Sequence, residues 1–153
     1  MKSRLFAVLM ITLLFSAHVR AKSDQCGDYT SVDLGESTVD MGKKTTFVHF
    51  RSSTQMHAEE GSKYNNLTGQ CTGGALVFPD QTVEAEGLCA VEDVDGDVLT
   101  YTFTQARGQK EGRYARKGGT GKFAGSRETG WFRPIKLDGD ITRGEWGGRN
   151  ACQ

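Results

Sequence analysis

Two Asp-Gly pairs, Asp95-Gly96 and Asp138-Gly139, each stand between stretches rich in β-branched and aromatic residues. Nowhere do apolar residues recur at helical spacing through three turns. Residues 98–105 read VLTYTFTQ, which sets Leu99, Tyr101 and Phe103 on one face and Thr100, Thr102 and Thr104 on the other. That period of two is the mark of a half-buried strand, and Asp-Gly between two such runs marks a tight hairpin turn. The chain is thereby pointed to β-structure. Its 20 glycines and 2 prolines fit short strands joined by Gly turns and exclude collagen-like or Pro-rich chains.

Thr45 to Ser52 (TTFVHFRS) predicts a strand. Residues 67–78 predict a second, which Gly69, Gly73 and Gly74 would bend by bulges or pack closely against a neighbour. Segments 82–92, 98–105, 122–124, 131–137 and 140–146 bring the set to about seven or eight. The polar stretch 22–44 reads as an irregular lead-in, 55–66 as a loop, and 107–127 as a basic, Gly-rich loop. The expectation is one all-β domain over 45–153, an antiparallel barrel or sandwich whose strands pair mainly with their sequence neighbours.

The first 21 residues have a separate plan. Lys2 and Arg4 precede an apolar run from Leu5 to Ala17, and Val19-Arg20-Ala21 offers a small-residue cleavage site. This predicts a secretory signal peptide cut after Ala21 and a secreted or periplasmic protein. Thirteen apolar residues are too few to span a hydrocarbon core of about 30 Å, so no stable membrane insertion is expected. The chain carries 19 basic and 19 acidic side chains. Removing Lys2, Arg4 and Arg20 leaves 16 against 19, a net of −3, which gives no general basis for binding nucleic acid.

Export makes the four cysteines informative. None forms a Cys-x-x-Cys pair and histidine is scarce, so structural disulfides are expected and no metal site. Of the three pairings that Cys26, Cys71, Cys89 and Cys152 allow, the favoured one joins Cys71 to Cys89 across neighbouring strands and Cys26 to Cys152 at the termini.

Two motifs look like ligand loops and fail on spacing. Asp93-Val94-Asp95-Gly96-Asp97 begins like a calcium loop, but glycine falls at position 4 and threonine at position 12, where Gly at 6 and Glu at 12 are required. Gly118-Gly119-Thr120-Gly121-Lys122-Phe123 suggests a phosphate loop, yet Phe123 stands where Ser or Thr should follow the lysine, and Arg116 where the first glycine should stand. Both read as turns, and no cofactor is expected. An acidic run (Asp80, Glu84, Glu86, Glu92, Asp93, Asp95, Asp97) precedes the basic 107–127 segment. The two either neutralise each other or, through Arg113, Arg116 and Lys117, recruit an anionic partner. His49 and Arg51 share one strand face, as do Glu84 and Glu86. On the outside these charges meet water; on the inside of a barrel they would line a cavity.

The run GGTGKFAGSRETGWF (118–132), preceded by Cys89-Ala-Val-Glu-Asp-Val-Asp-Gly-Asp97, resembles the barrel shared by plant allene oxide cyclases and dirigent proteins, and is closest to small exported proteins with an allene-oxide-cyclase-like barrel. The resemblance covers residues 67–146. It implies an eight-stranded, calycin-like antiparallel barrel with a hydrophobic interior. Relatives fold a reactive lipid epoxide or steer radical coupling by shaping a cavity, often as oligomers, which leaves a homo-oligomer open here. No family catalytic residue matches a position in this chain. The leading expectation is therefore a non-enzymatic barrel that binds a small apolar or amphipathic ligand or a partner surface. Leu99, Tyr101, Phe103, Trp131 and Trp146 would form its walls, with His49 or Arg51 as a polar anchor. The alternatives are a cyclase-like enzyme assisted by Glu84, Glu86 or Tyr101, and an interaction protein docking through the basic loop.

Overall fold

The computed structural model describes residues 25–149 and 151–152; the expected signal peptide lies outside them. Eight strands follow in chain order: β1 (Cys26–Asp40), β2 (Thr46–Ala58), β3 (Leu67–Val77), β4 (Val83–Glu92), β5 (Val98–Gln105), β6 (Gly112–Gly119), β7 (Thr129–Asp138) and β8 (Ile141–Gly148). Each pairs antiparallel with the next, and β8 returns to β1, so the sheet closes into a barrel without a crossover. Closure removes the unpaired edges that an open sheet would expose. Both disulfides take the favoured pairing. Cys71 faces Cys89 directly across β3 and β4, with Cα atoms 4.0 Å apart, and Cys26 meets Cys152 at 6.2 Å. Such bonds suit an oxidising compartment. Among the described residues no helix is long and apolar enough to cross a membrane.

The sequence expectation fails at two strands. The supposed lead-in 22–44 contains β1, at 15 residues the longest strand, and the basic loop contains β6. The barrel thus begins at Cys26, not at residue 45. Strand β2 also runs on to Ala58, and residues 122–124, read as a strand, form the end of a 3-10 turn over Gly121–Phe123 and its C-cap, Ala124.

The glycines of β3 act by close packing, not by bulging. Gly73 lies opposite Gly87 on β4 in unbroken register. A Cβ on Gly73 would stand 2.7 Å from the Phe50 ring, and one on Gly87 2.5 Å from the Phe103 ring. The missing side chains let both rings lie against the backbone of the wall. Gly87→Val is expected to force Phe103 off the wall, at a cost of about 1–3 kcal/mol of overpacking, read as a lower midpoint in urea unfolding.

The two failed ligand motifs are each other's partners. Asp93 Oδ1 accepts the backbone N–H groups of Asp95 (2.8 Å) and Asp97 (3.0 Å), which folds 93–97 into a longer turn than a two-residue hairpin. Asp97 accepts the N–H of Lys122 at 3.0 Å, and the Lys122 ammonium pairs with Asp93. The lysine therefore sits where the acidic turn would otherwise gather a cation. Its hydrogen bond holds the Asp93 carboxyl below the usual range against the opposing effect of desolvation, helped by the N–H groups of Asp97 and Asp95. A depressed folded value means the stabilisation is complete above the unfolded pKa of about 3.9 and disappears as pH falls through the lower folded value. Asp93→Asn is accordingly expected to be less stable than the parent at pH 7, with the gap closing in thermal melts below about pH 4. Arg107 pairs with Asp80 at 3.0 Å, so the acidic and basic segments neutralise each other in two places.

Candidate functional site

The barrel is solid at one end and hollow at the other. The loops 59–66 and 120–128 bring Tyr64 and Phe123 to the solid end, where they pack with Leu67, Val91 and Leu99, all at most 1% exposed. Tyr64 stacks with Phe123 at 6.0 Å and meets the Trp146 indole edge-on at the same distance. Above this floor lies a cavity of about 320 Å³, within the size range of small-molecule sites.

Alternation along the strands decides what the cavity sees. From β5 come Leu99, Tyr101 and Phe103, the face the sequence assigns inward. Strand β2 contributes Phe50, Ser52, Thr54 and Met56; β6 contributes Tyr114 and Arg116; β7 and β8 add Phe132, Pro134, Thr142 and Trp146. Phe103 touches Phe50 at 6.2 Å and Phe132 edge-on at 5.8 Å, forming an aromatic band. The Cys71–Cys89 bridge faces inward and forms part of the wall. Ser31 of β1 hydrogen-bonds Ser52 (3.0 Å) and Thr54 (2.7 Å) across the strand pair. Asp33 and Asp140 stand at the open end, where the β7–β8 turn meets β1.

Three tyrosines gather in the middle. Tyr101 and Tyr114 lie 6.2 Å apart edge-on, and Tyr29 faces them from β1. Burial pushes the phenol of Tyr101 up, and the neighbouring Tyr29 and Tyr114 add to the effect. Tyr29 is raised by burial as well, and Tyr114 is raised by burial against the opposing charge of Arg116. All three hydroxyls thus remain protonated donors at neutral pH.

Several expected site residues stand elsewhere. His49 and Arg51 have the parity opposite to Phe50 and Ser52, and both are exposed on the outer face. Neither anchors a ligand inside. Glu84 and Glu86 of β4 are likewise exposed, so neither reaches the cavity as an acid or base. Trp131 is buried, but on the outside: its indole N–H donates to the Ala151 carbonyl at 3.2 Å, under the C-terminal segment. Tyr101, Phe103 and Trp146 line the cavity.

The basic trio is divided. Arg113 and Lys117 are exposed, whereas Arg116 is 3% exposed and points inward. Its guanidinium lies 3.7 Å from the centre of the Tyr64 ring, and Nη2 donates to the Tyr114 hydroxyl at 3.4 Å. The nearest carboxylate oxygen, on Glu128, is 3.6 Å from Nη1. Arg116 is therefore the buried charged side chain on the cavity wall, where the sequence reading places His49 or Arg51. The signal was present in the sequence, because Gly112, Tyr114 and Arg116 alternate with Arg113, Ala115 and Lys117. Among the described residues no cluster of His, Cys, Asp and Glu is arranged to hold a metal ion.

No protein-family model matches the chain, and no curated protein matches it. The barrel is similar to that of a solved dirigent protein. That structure, of the pterocarpan synthase dirigent protein, is 16% identical over 80% of this chain and 80% of its own, with a TM-score of 0.49.

Proposed function

We propose that the protein is an exported binding protein that encloses a small amphipathic molecule in the hollow half of its barrel and does not transform it. The cavity carries this reading: about 320 Å³, walled by Phe50, Met56, Leu99, Phe103, Phe132 and Trp146, and closed at one end by a packed floor. Apolar walls with a few converging donors describe a site that desolvates a ligand and fixes its orientation. The glutamates that a cyclase-like mechanism would draw on are on the outer face, and the tyrosines are held as neutral donors, poor bases at neutral pH. The leader expected at residues 1–21 and the two disulfides support export.

The test is titration of the mature protein with the neutral fluorophore N-phenyl-1-naphthylamine. Saturable enhancement is expected. The cavity-filling change Ser52→Trp should weaken it tenfold or more while circular dichroism still reports an intact barrel. Binding that is absent, or unaltered by Ser52→Trp in a folded protein, would refute the reading.

A further inference from the structure

We infer that the ligand enters carboxylate-first and is held at the inner end of the cavity by Arg116 with the tyrosine hydroxyls beside it. The inference rests on the proposed binding function and names the class of molecule: an apolar chain or ring system ending in a carboxylate.

Arg116 carries the argument. A guanidinium is charged at every physiological pH and has five N–H donors in a planar fork. This one is 3% exposed, yet among the described residues Nη1 has no hydrogen-bond partner, and Nη2 reaches the Tyr114 hydroxyl at 3.4 Å. Glu128 does not supply the missing acceptor. Its Oε2 lies 3.6 Å from Nη1 and already accepts the Arg127 N–H at 3.0 Å, while its Oε1 accepts the Tyr64 hydroxyl. Its side chain is also 37% exposed, so water screens its charge. Arg116 is ion-paired with Glu128 and lies over the Tyr64 ring, but its buried Nη1 still lacks a hydrogen-bond acceptor, which is costly until a carboxylate in the cavity supplies one.

The surroundings point the same way. Tyr101 Oη has a weak contact with Cys71 Sγ at 4.0 Å, so its donor is available to a better acceptor. The carboxylates among the lining residues, Asp33 and Asp140, stand at the open end, away from Arg116. The cavity is thus cationic and donor-rich inside, aromatic at mid-height, and acidic at the mouth. A carboxylate accepts two parallel N–H bonds from a guanidinium, and its tail would lie along the Phe50, Phe103 and Phe132 band.

Displacement of N-phenyl-1-naphthylamine by decanoate and by decan-1-ol tests this, because the two differ only in the head group. In the parent protein decanoate should displace the probe about 10- to 100-fold more effectively, the equivalent of a hydrogen bond to a charged group. In Arg116→Gln that ratio should fall close to one. A second measurement needs no variant: the carbon-13 signal of carboxyl-labelled decanoate should show the bound acid ionising at lower pH than the free acid, because a nearby cation favours the charged form. A probe that does not bind at all refutes the binding function. A probe that binds but is displaced equally by acid and alcohol, or a preference that survives in Arg116→Gln, refutes only the carboxylate. So does a bound acid that ionises at higher pH than the free one.

Discussion

Replacing Cys26 and Cys152 together by Ser is expected to destabilise the barrel more than replacing Cys71 and Cys89. The reason lies in the order of closure. Seven of the eight strand pairings join sequence neighbours, and the eighth, β8 to β1, joins the two ends of the domain. That seam closes the longest loop in the barrel, and Cys26–Cys152 ties it across 126 residues. The Cys71–Cys89 bridge spans 18 residues and crosses β3 and β4, which ten register pairs already hold together. In the chain-entropy relation the longer loop is worth about 5 kcal/mol and the shorter about 3 kcal/mol. Guanidinium unfolding of the two double variants measures the difference, and the Cys26→Ser/Cys152→Ser protein should have the lower midpoint. If Cys71→Ser/Cys89→Ser proves the weaker protein, the inward-facing bridge is holding the cavity wall by packing, and that packing outweighs the closure of the seam.

How much of this was legible in the sequence depends on what each strand faces. Strand β5 packs Leu99 into the floor and sets Tyr101 and Phe103 on the wall, so its apolar alternation is complete, and its bounds, 98–105, match the reading from sequence. The inner face of β1 presents Tyr29, Ser31 and Asp33 to a hollow lined in part by hydroxyls. A strand beside a cavity has no close-packed partner to demand apolar residues, and its outer face meets water, so the periodicity that reveals β5 is absent. Strand β6 is hidden for a related reason. Its inward positions are Gly112, Tyr114 and Arg116, and a buried arginine reads as surface charge when only its type is considered. The two strands that sequence reasoning misses are thus strands that build the polar part of the site. The Cys pairing was accessible because few alternatives existed; the side assigned to His49, Arg51 and Trp131 was not, since parity fixes only which residues share a face.

Phe123→Ala is expected to remove about 3–5 kcal/mol of stability, the usual cost of emptying a fully buried aromatic site, and to lower the melting midpoint by roughly 10–20 °C for a domain of this size. The residue is fully buried, although it sits on a single 3-10 turn that ordinarily contributes little to a core. What places it there is the clamp between the two turns. Val98 N–H donates to the Thr120 hydroxyl at 2.8 Å, Asp97 accepts the Lys122 N–H, and Asp93 holds the Lys122 ammonium. The next side chain, Phe123, is thereby driven under Tyr64. Tyr64 in turn stacks against the Arg116 guanidinium, so a cavity at Phe123 loosens the floor on which the cavity's polar anchor rests. The loss should appear twice, as a lower melting midpoint and as a smaller preference for decanoate over decan-1-ol, since water admitted beneath Tyr64 would solvate Arg116 in place of the ligand. Leu137→Ala supplies the contrast: its side chain is 75% exposed at the open end, and its loss should move stability by no more than about 0.5 kcal/mol. A Phe123→Ala protein within about 1 kcal/mol of the parent, a typical effect for an ordinary substitution, would mean that the barrel's closed end is not the packed core from which the cavity takes its shape.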